Sequence, residues 1–291
     1  MAKKTIGATA PLSIDTLPQD IYKRLEEGKE INPENLEAFL SNIAESFKKA
    51  LEPKEKDRTA LRFSALGMPD RKMWYRHNQP EMGEMLKGKT LLKFLYGHLI
   101  EEMIMFLVKE SGHKVTDEQR EVNVDGVKGH TDGKIDGVVV DVKSASPYGY
   151  KKFATNSVVE DDPFGYTAQL AGYAAEIAPG EPAAWVAFDK VSAEICVPKL
   201  SSTIIKDHLP APRIAHLKKV IELPEPPERC YSDVPDGKSG NMKLDTACSY
   251  CEFREGCWPE LRTFLYSTGP RFLTKVVRTP DVPEVTKNET S

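Results

Sequence analysis

The stretch that most restricts what this chain can fold into is residues 129–146, GHTDGKIDGVVVDVKSAS. Successive side chains on a β-strand point to opposite faces, so residues two apart share a face. Across residues 138–143 that rule places Asp141 and Lys143 on one face and Val138, Val140 and Val142 on the other, the apolar side that packs on a core. Asp136-Gly137 is a two-residue turn signal, so residues 127–135 are predicted as the antiparallel partner, carrying Asp132. Two carboxylates and an ammonium converging at one sheet end are costly unless a cation sits between the carboxylates. Magnesium, as one ion or a pair, suits oxygen ligands of this kind.

Composition narrows the class. A chain of 291 residues can bury one substantial core with a small appended lobe. No apolar run is long enough to span a membrane, and the start MAKKTIGATAPLS lacks the apolar centre of a signal peptide, so a cytoplasmic protein is expected. A net charge of −4 argues against a generally basic nucleic-acid binder and leaves room for a local positive patch. Of the 5 cysteines, all but Cys196 crowd into residues 230–257. In a cytoplasmic chain that clustering favours a metal site over disulfides. Cys196, in the apolar stretch AEICVP, reads as a buried structural thiol.

Residues 1–30 are weakly patterned. Asn32-Pro33 then marks a helix start, and Leu36, Phe39, Leu40, Ile43 and Phe47 follow at helical spacing, with Pro53 past the end. The link PKEKDR leads to Ser64, a candidate cap for a short helix holding Arg71, Lys72 and Trp74. Residues 91–109 predict a longer helix, with Leu92, Leu95, Leu99, Met103 and Phe106 on its buried side and Gly112 after it. Residues 118–124, 127–135 and 138–143, joined by Asp125-Gly126 and Asp136-Gly137, predict a three-stranded meander. A helix over 163–177, strands over 183–188 and 193–197, and a helix over 201–222 broken at LPAP (209–212) complete the core. Proline-rich residues 224–227 lead into a cysteine lobe. The expected division is therefore a helical segment at 1–60, a core at 61–223, a cysteine-rich lobe at 224–267 and a disordered tail at 268–291.

The chemistry-bearing residues come in a set order. Gly97-His-Leu-Ile-Glu101 precedes Gly129-His-Thr-Asp132-Gly133; Asp141-Val-Lys143 and Gln169-Leu-Ala-Gly-Tyr173 follow. This order resembles the PD-(D/E)XK nuclease superfamily, and within it the RecB-like exonuclease branch, over residues 64 to about 258. An isolated Asp-x-Lys on a strand is usually a solvated face, and Asp125 and Asp136 are turn formers first. It is the ordered set that carries the resemblance. The resemblance implies a restriction-endonuclease-like α/β core with a central mixed sheet flanked by helices. It also implies Mg²⁺ or Mn²⁺ held by Asp132, Asp141 and Glu101, with the Val142 carbonyl as a further ligand. Lys143 would position the attacking water and stabilise charge on the phosphate. Gln169 and Tyr173, four apart on one helix face, would hydrogen-bond the nucleic-acid backbone or brace the lysine. His98 follows Gly97 directly, whereas the family's histidine falls where Glu101 stands. His130 shares a predicted strand face with Asp132.

Cys230 and the run Cys248-x-x-Cys251-x5-Cys257 form a four-thiolate set that suits either Zn²⁺ or an iron–sulfur cluster. Several RecB-like nucleases, the CRISPR-adaptation nucleases and the AddB subunit among them, carry a [4Fe–4S] cluster on one early and three late cysteines. Their early cysteine lies in a stretch like S-x-L-G-x-C-x-R-x-x-W-Y. Here the chain reads Ser64-Ala-Leu-Gly-Met-Pro-Asp-Arg71-Lys-Met-Trp74-Tyr75, with Met68 or Pro69 where the cysteine would stand. Cys230 is then the replacement. The resemblance favours [4Fe–4S], with Zn²⁺ as the alternative. Arg71, Lys72, Trp74, Arg76 and His77 form a candidate basic-aromatic patch for phosphates and a base, and Lys151 and Lys152 are a second candidate backbone contact.

The expected function is a metal-dependent deoxyribonuclease, an exonuclease by the branch it resembles, acting on DNA ends or single strands in recombination, repair or degradation. The resemblance extends to bacteriophage DNA-processing proteins, whose location is the host cytoplasm and whose partners include single-strand-binding and annealing proteins. The alternative is a non-catalytic DNA-end-binding or scaffold protein on the same fold. RNA is an open alternative substrate, and oligomeric state is not encoded in any motif.

Overall fold

Val138, Val139, Val140 and Val142 give the residues around Asp141 a strong strand preference, and the chain is extended from Val138 to Ala145. The computed structural model describes residues 12–52 and 59–285; the expectations for 1–11, for the link at 53–58 and for 286–291 lie outside them. In chain order the helices used below are α1 (Leu17–Glu27), α2 (Pro33–Leu51), α3 (Asp70–Asn78), α4 (Gly88–Glu110), α5 (Pro147–Ala154), α6 (Tyr166–Ile177), α7 (Ser202–Asp207) and α8 (Pro210–Ile221). The strands are β1 (Val115–Thr116), β2 (Glu121–Val124), β3 (Val127–His130), β4 (Gly133–Ile135), β5 (Val138–Ala145), β6 (Ala183–Asp189), β7 (Ile195–Cys196) and β8 (Lys199–Leu200). They continue with β9 (Val234–Pro235), β10 (Met242–Lys243), β11 (Arg262–Tyr266), β12 (Gly269–Lys275) and β13 (Glu284–Val285).

The described residues fall into two compact units, the first holding 12–52, 87–162 and 167–210 and the second 59–86, 163–166 and 211–285. This interleaving differs from the expected consecutive segments. Sequence punctuation marks linkers, whereas the units are defined by non-local packing that returns residues 59–86 to the C-terminal part.

The first unit is built on a 6-stranded mixed sheet in the order β1-β4-β5-β6-β7, with β8 also on β6. β5 and β6 run parallel and the other pairs antiparallel. Helices flank it. Leu17 and Ile21 of α1 and Ile100, Ile104 and Val108 of α4 pack with Val140, Val142, Ala184 and Val186. On the opposite face Phe153 of α5 meets Trp185 edge-on, ring centroids 5.8 Å apart. Trp185 is in register with Asp141, so α5 lies on the face that carries Asp141. β5 is thereby covered on both sides, and Asp141 is 1% exposed.

The predicted meander is divided. Residues 127–135 are not one strand: β3 pairs with β2 in a separate 2-stranded ribbon, and β4 pairs with β5 in the main sheet. The break falls at Thr131-Asp132, where Gly133 takes φ +147°, a conformation closed to side chains with a Cβ. The two Asp-Gly turns form as predicted, with φ +50° and +84° at Asp125-Gly126 and +51° and +87° at Asp136-Gly137, positive at both central residues as tight hairpins require.

Asn32 caps α2, accepting from the backbone N–H groups of Glu34 and Asn35. The apolar stripe of α2 is less buried than its spacing implies. Phe39 stacks on Phe106 at 4.7 Å, while Leu40 and Phe47 are exposed. Ser64 does not cap the next helix. It lies in a short 3₁₀ turn, and α3 begins after Pro69. The helix predicted over 201–222 breaks into α7 and α8 at the expected prolines. The segment expected to be a disordered tail holds β12 and β13: β12 pairs with β11 and β10, β13 pairs with β11, and Leu273 is fully buried. Its prolines and charges obscure strands that no alternation of apolar residues marks.

Glu110 ties three helices together. It accepts from Arg24 Nη2 at 3.0 Å, from Asn35 Nδ2 at 2.8 Å and from the Asn32 N–H at 3.4 Å. Burial alone would raise its carboxyl, but Asn35, Asn32 and Arg24 hold it below the usual glutamate value. A depressed folded-state value means stability that is present above the unfolded pKa and is lost as pH falls through the folded one. E110Q is expected to cost about 2–3 kcal/mol at neutral pH. In thermal melts from pH 7 to pH 3, the wild type should lose its advantage over E110Q; a gap independent of pH would contradict this.

Candidate active site

β4 begins at Gly133, which pairs with Val140, and the β5 amide just beyond that pair is taken by a side chain. Val142 N–H donates to Asp132 Oδ2 at 2.7 Å. Asp132 therefore stands at the strand break beside Asp141, and not on a strand face as predicted. Asp141 Oδ2 lies 2.7 Å from Lys143 Nζ. Lys143 Nζ also donates to Gln169 Oε1 at 3.5 Å, so α6 meets β5 on the Asp141 face. Tyr173, one helical turn further, is 3% exposed; burial pushes its phenol up to about 12, against a hydrogen bond with Gln169. Gln169 thus meets the lysine, and Tyr173 meets Gln169.

Glu101 comes from α4, which packs on the sheet's other face. A Cβ at Gly97 would stand 3.6 Å from Ser144 Oγ, the distance of ordinary contact. Desolvation and the facing charges of Glu101 and Asp141 push the Asp132 carboxyl well above its ordinary value. Burial likewise raises Asp141, with Lys143 opposing it and Glu101 adding to it. Three carboxylates share a single ammonium, and that donor set fits a hard divalent cation. Among the described residues, no group of three or more His, Cys, Asp or Glu side chains stands together as a metal-ion site, the cysteines included. The carboxylates are near enough to perturb one another.

Gln119 is a site residue that no sequence pattern marks. Its Nε2 donates to Glu101 Oε1 at 3.4 Å, from a loop position with φ +50°. His98 Nδ1 lies 3.8 Å from Glu101 Oε2 with its side chain 68% exposed, and a hydrogen bond with Glu101 raises its pKa. His130 does not line the site; it is exposed on β3, 3.8 Å from Glu121 across the ribbon. Lys152 is engaged by Asp161 at 2.5 Å and lies over the Tyr148 ring, whereas Lys151 is exposed.

In the second unit Cys230, Cys248, Cys251 and Cys257 line one pocket together with Met68, Pro69, Arg71 and Lys72. Cys230 accepts hydrogen bonds from the backbone N–H groups of Arg71 and Lys72 in the first turn of α3. Arg71 Nε donates to Cys257 Sγ at 3.0 Å. Burial and then the neighbouring Cys251 and Cys257 push the Cys248 thiol up to about 12. Thiols crowded in this way fit a cation that would hold them as thiolates.

The basic-aromatic patch expected at Arg71, Lys72 and Trp74 is not an open surface. Trp74 is 4% exposed and donates to the Leu223 carbonyl at 2.8 Å. Arg71 donates to the Pro227 carbonyl as well as to Cys257, and Lys72 pairs with Glu252 at 3.0 Å. His77 is engaged with the Thr59 carbonyl. The small core that Trp74 forms with Tyr75, Val220 and Phe253 needs the indole inside, so it cannot stack on a base.

No protein-family profile matches the chain, and no curated protein does. Solved structures that overlap it include the following two. The crystal structure of SSO0001 does so at 16% identity and a TM-score of 0.40, over 72% of this chain and 91% of that one. LHK-Exo in complex with dAMP does so at 13% identity and a TM-score of 0.35, over 57% of this chain and 91% of that one. Overlaps of that quality carry no argument about function, which rests on the side chains.

Proposed function

We propose that this chain is a metal-dependent DNA nuclease with a PD-(D/E)XK core of the RecB-like kind, acting as an exonuclease on DNA ends or single strands. The observation that carries the reading is the convergence on β5. Asp141 and Lys143 lie on a doubly covered strand, with Asp132 at the adjoining break, Glu101 brought by α4 and Gln169 by α6. Glu101, Asp132, Asp141 and the Val142 carbonyl would hold Mg²⁺ or Mn²⁺, which when bound supplies Lewis acidity toward the phosphate and a more acidic water. Lys143, fixed between Asp141 and Gln169, positions the attacking water and offsets charge developing on the phosphoryl oxygens as the P–O bond to the leaving strand breaks. Lys151, exposed on α5, would contact the backbone of the substrate. The four cysteines would hold a [4Fe–4S] cluster, with Zn²⁺ as the alternative, in a structural role. The chain would work in DNA recombination, repair or degradation in the cytoplasm, that of a host if the protein is viral. A single-strand-binding or annealing protein would be its partner. Among the described residues no helix is long and apolar enough to cross a membrane.

The test is incubation of the full chain with end-labelled single- and double-stranded DNA, with Mg²⁺ or Mn²⁺ and with EDTA. Metal-dependent shortening from an end is the expected result. A protein that binds DNA and cuts neither DNA nor RNA under any metal would be a scaffold, and the enzyme reading would fall.

A further inference from the structure

The approach to Glu101 along α4 has a chemistry of its own. Residues 85–100 carry Lys87, Lys89, Lys93 and His98 and no acidic residue, in a chain with 44 acidic residues and a net charge of −4. On this basic segment Phe94 stands 54% exposed, a large aromatic ring more than half in water beside the exposed Leu91, Leu92 and Tyr96. A helix turns about 100° and rises about 1.5 Å per residue, so Phe94 falls within about 20° of Glu101 around the axis and about 10 Å from it along the axis. His98 and Lys93 flank the same direction at about 60° and 80°, and Lys87 stands at the N-cap ahead of the helix. The ring, the cations and the carboxylate share one side of the helix.

We propose that this side of α4 is a single-stranded nucleic-acid track, with Phe94 as a stacking platform for a base next to the phosphate that reaches Glu101. The proposal rests on the nuclease reading and names its substrate: an unpaired strand or frayed end. A base offers its face to a ring only when it is out of a duplex, and lysines at this spacing neutralise the phosphates on either side. A second copy of the chain is a poor occupant. A two-fold contact brings the same patch against itself, and here that would set Lys87, Lys93 and His98 against their own like charges.

The test is fluorescence anisotropy of labelled oligodeoxynucleotides with the full chain in EDTA, so that binding is read without cleavage. F94A should weaken single-strand binding about tenfold and leave duplex binding nearly unchanged, while F94W retains wild-type affinity. K93E should weaken binding and flatten its salt dependence. Wild-type affinity in F94A overturns the track and leaves the nuclease reading standing if the wild type still cuts. Unaltered strand binding with a wild-type dimer turned monomeric by F94A would make the face an interface between copies, and also overturns it. A wild type that neither binds nor cuts any strand removes both proposals together.

Discussion

Replacing Lys143 by alanine is expected to slow single-turnover DNA cleavage by about 10²–10³-fold, the loss seen when one preorganised charge-stabilising donor is removed. The ammonium is held by Asp141 at 2.7 Å and Gln169 at 3.5 Å, so its position is set by the fold before substrate arrives. K143A should leave strand affinity measured in EDTA close to wild type, because the loss is confined to the chemical step. The companion variant D132N should be as inactive, yet more stable than wild type in metal-free buffer. Asparagine can keep accepting from the Val142 N–H, and it removes one negative charge from a group in which Glu101 and Asp141 already oppose the Asp132 charge. A rise of a few degrees in the metal-free Tm, together with lost activity, is the pattern of a site whose ground state is strained for function. Added Mg²⁺ should stabilise wild type more than D132N. A D132N protein that melts lower without metal, or a K143A protein that cuts at the wild-type rate, would show that this cluster is structural.

Local chemistry made β5, the strand of the candidate site, legible. Four valines around Asp141, Asp-Gly pairs at both turns and the four-residue spacing of Gln169 and Tyr173 are properties of short windows, and each forms as expected. The departures share a cause, which is that tertiary packing decided them. The break at Thr131-Asp132 depends on a carboxylate replacing a strand at the Val142 amide, and no periodicity encodes that. Arg71, Lys72 and Trp74 read as a surface patch because charged residues surround the indole. Their partners, Cys257, Glu252 and Leu223, lie more than a hundred residues away. Gln119 reaches Glu101 from an irregular loop. The hairpin of β11 and β12 carries adjacent apolar pairs, Phe264-Leu265 and Phe272-Leu273, so no alternation of apolar and polar residues marks it.

Serine at Cys248 is expected to lower the stability of the second unit strongly, because the cysteines adjoin one of the small cores of that unit. Its cluster of Trp74, Tyr75, Val220 and Phe253 has Cys251 and Cys257 packed against it, so the thiols are part of a small core. Metal bound to such a set contributes of the order of 10 kcal/mol in small metal-stapled domains. Without metal, burial and mutual repulsion leave Cys248 a thiol, pushed up to about 12. C248S should therefore lose its metal, and limited proteolysis should cut within residues 211–285 while 87–162 survive. Cys230 is the decisive position. It is exposed and stands apart from the Cys248–Cys257 run, and burial raises its thiol while the Arg71 and Lys72 amides oppose that rise. If it is the fourth ligand, C230S loses metal as C248S does, while C196S, in the first unit, keeps it. Anaerobically purified wild type should be brown and contain iron. Colourless protein with stoichiometric zinc would replace the cluster by a Cys₄ zinc site, and a C230S protein with its full metal content would remove Cys230 from the ligand set.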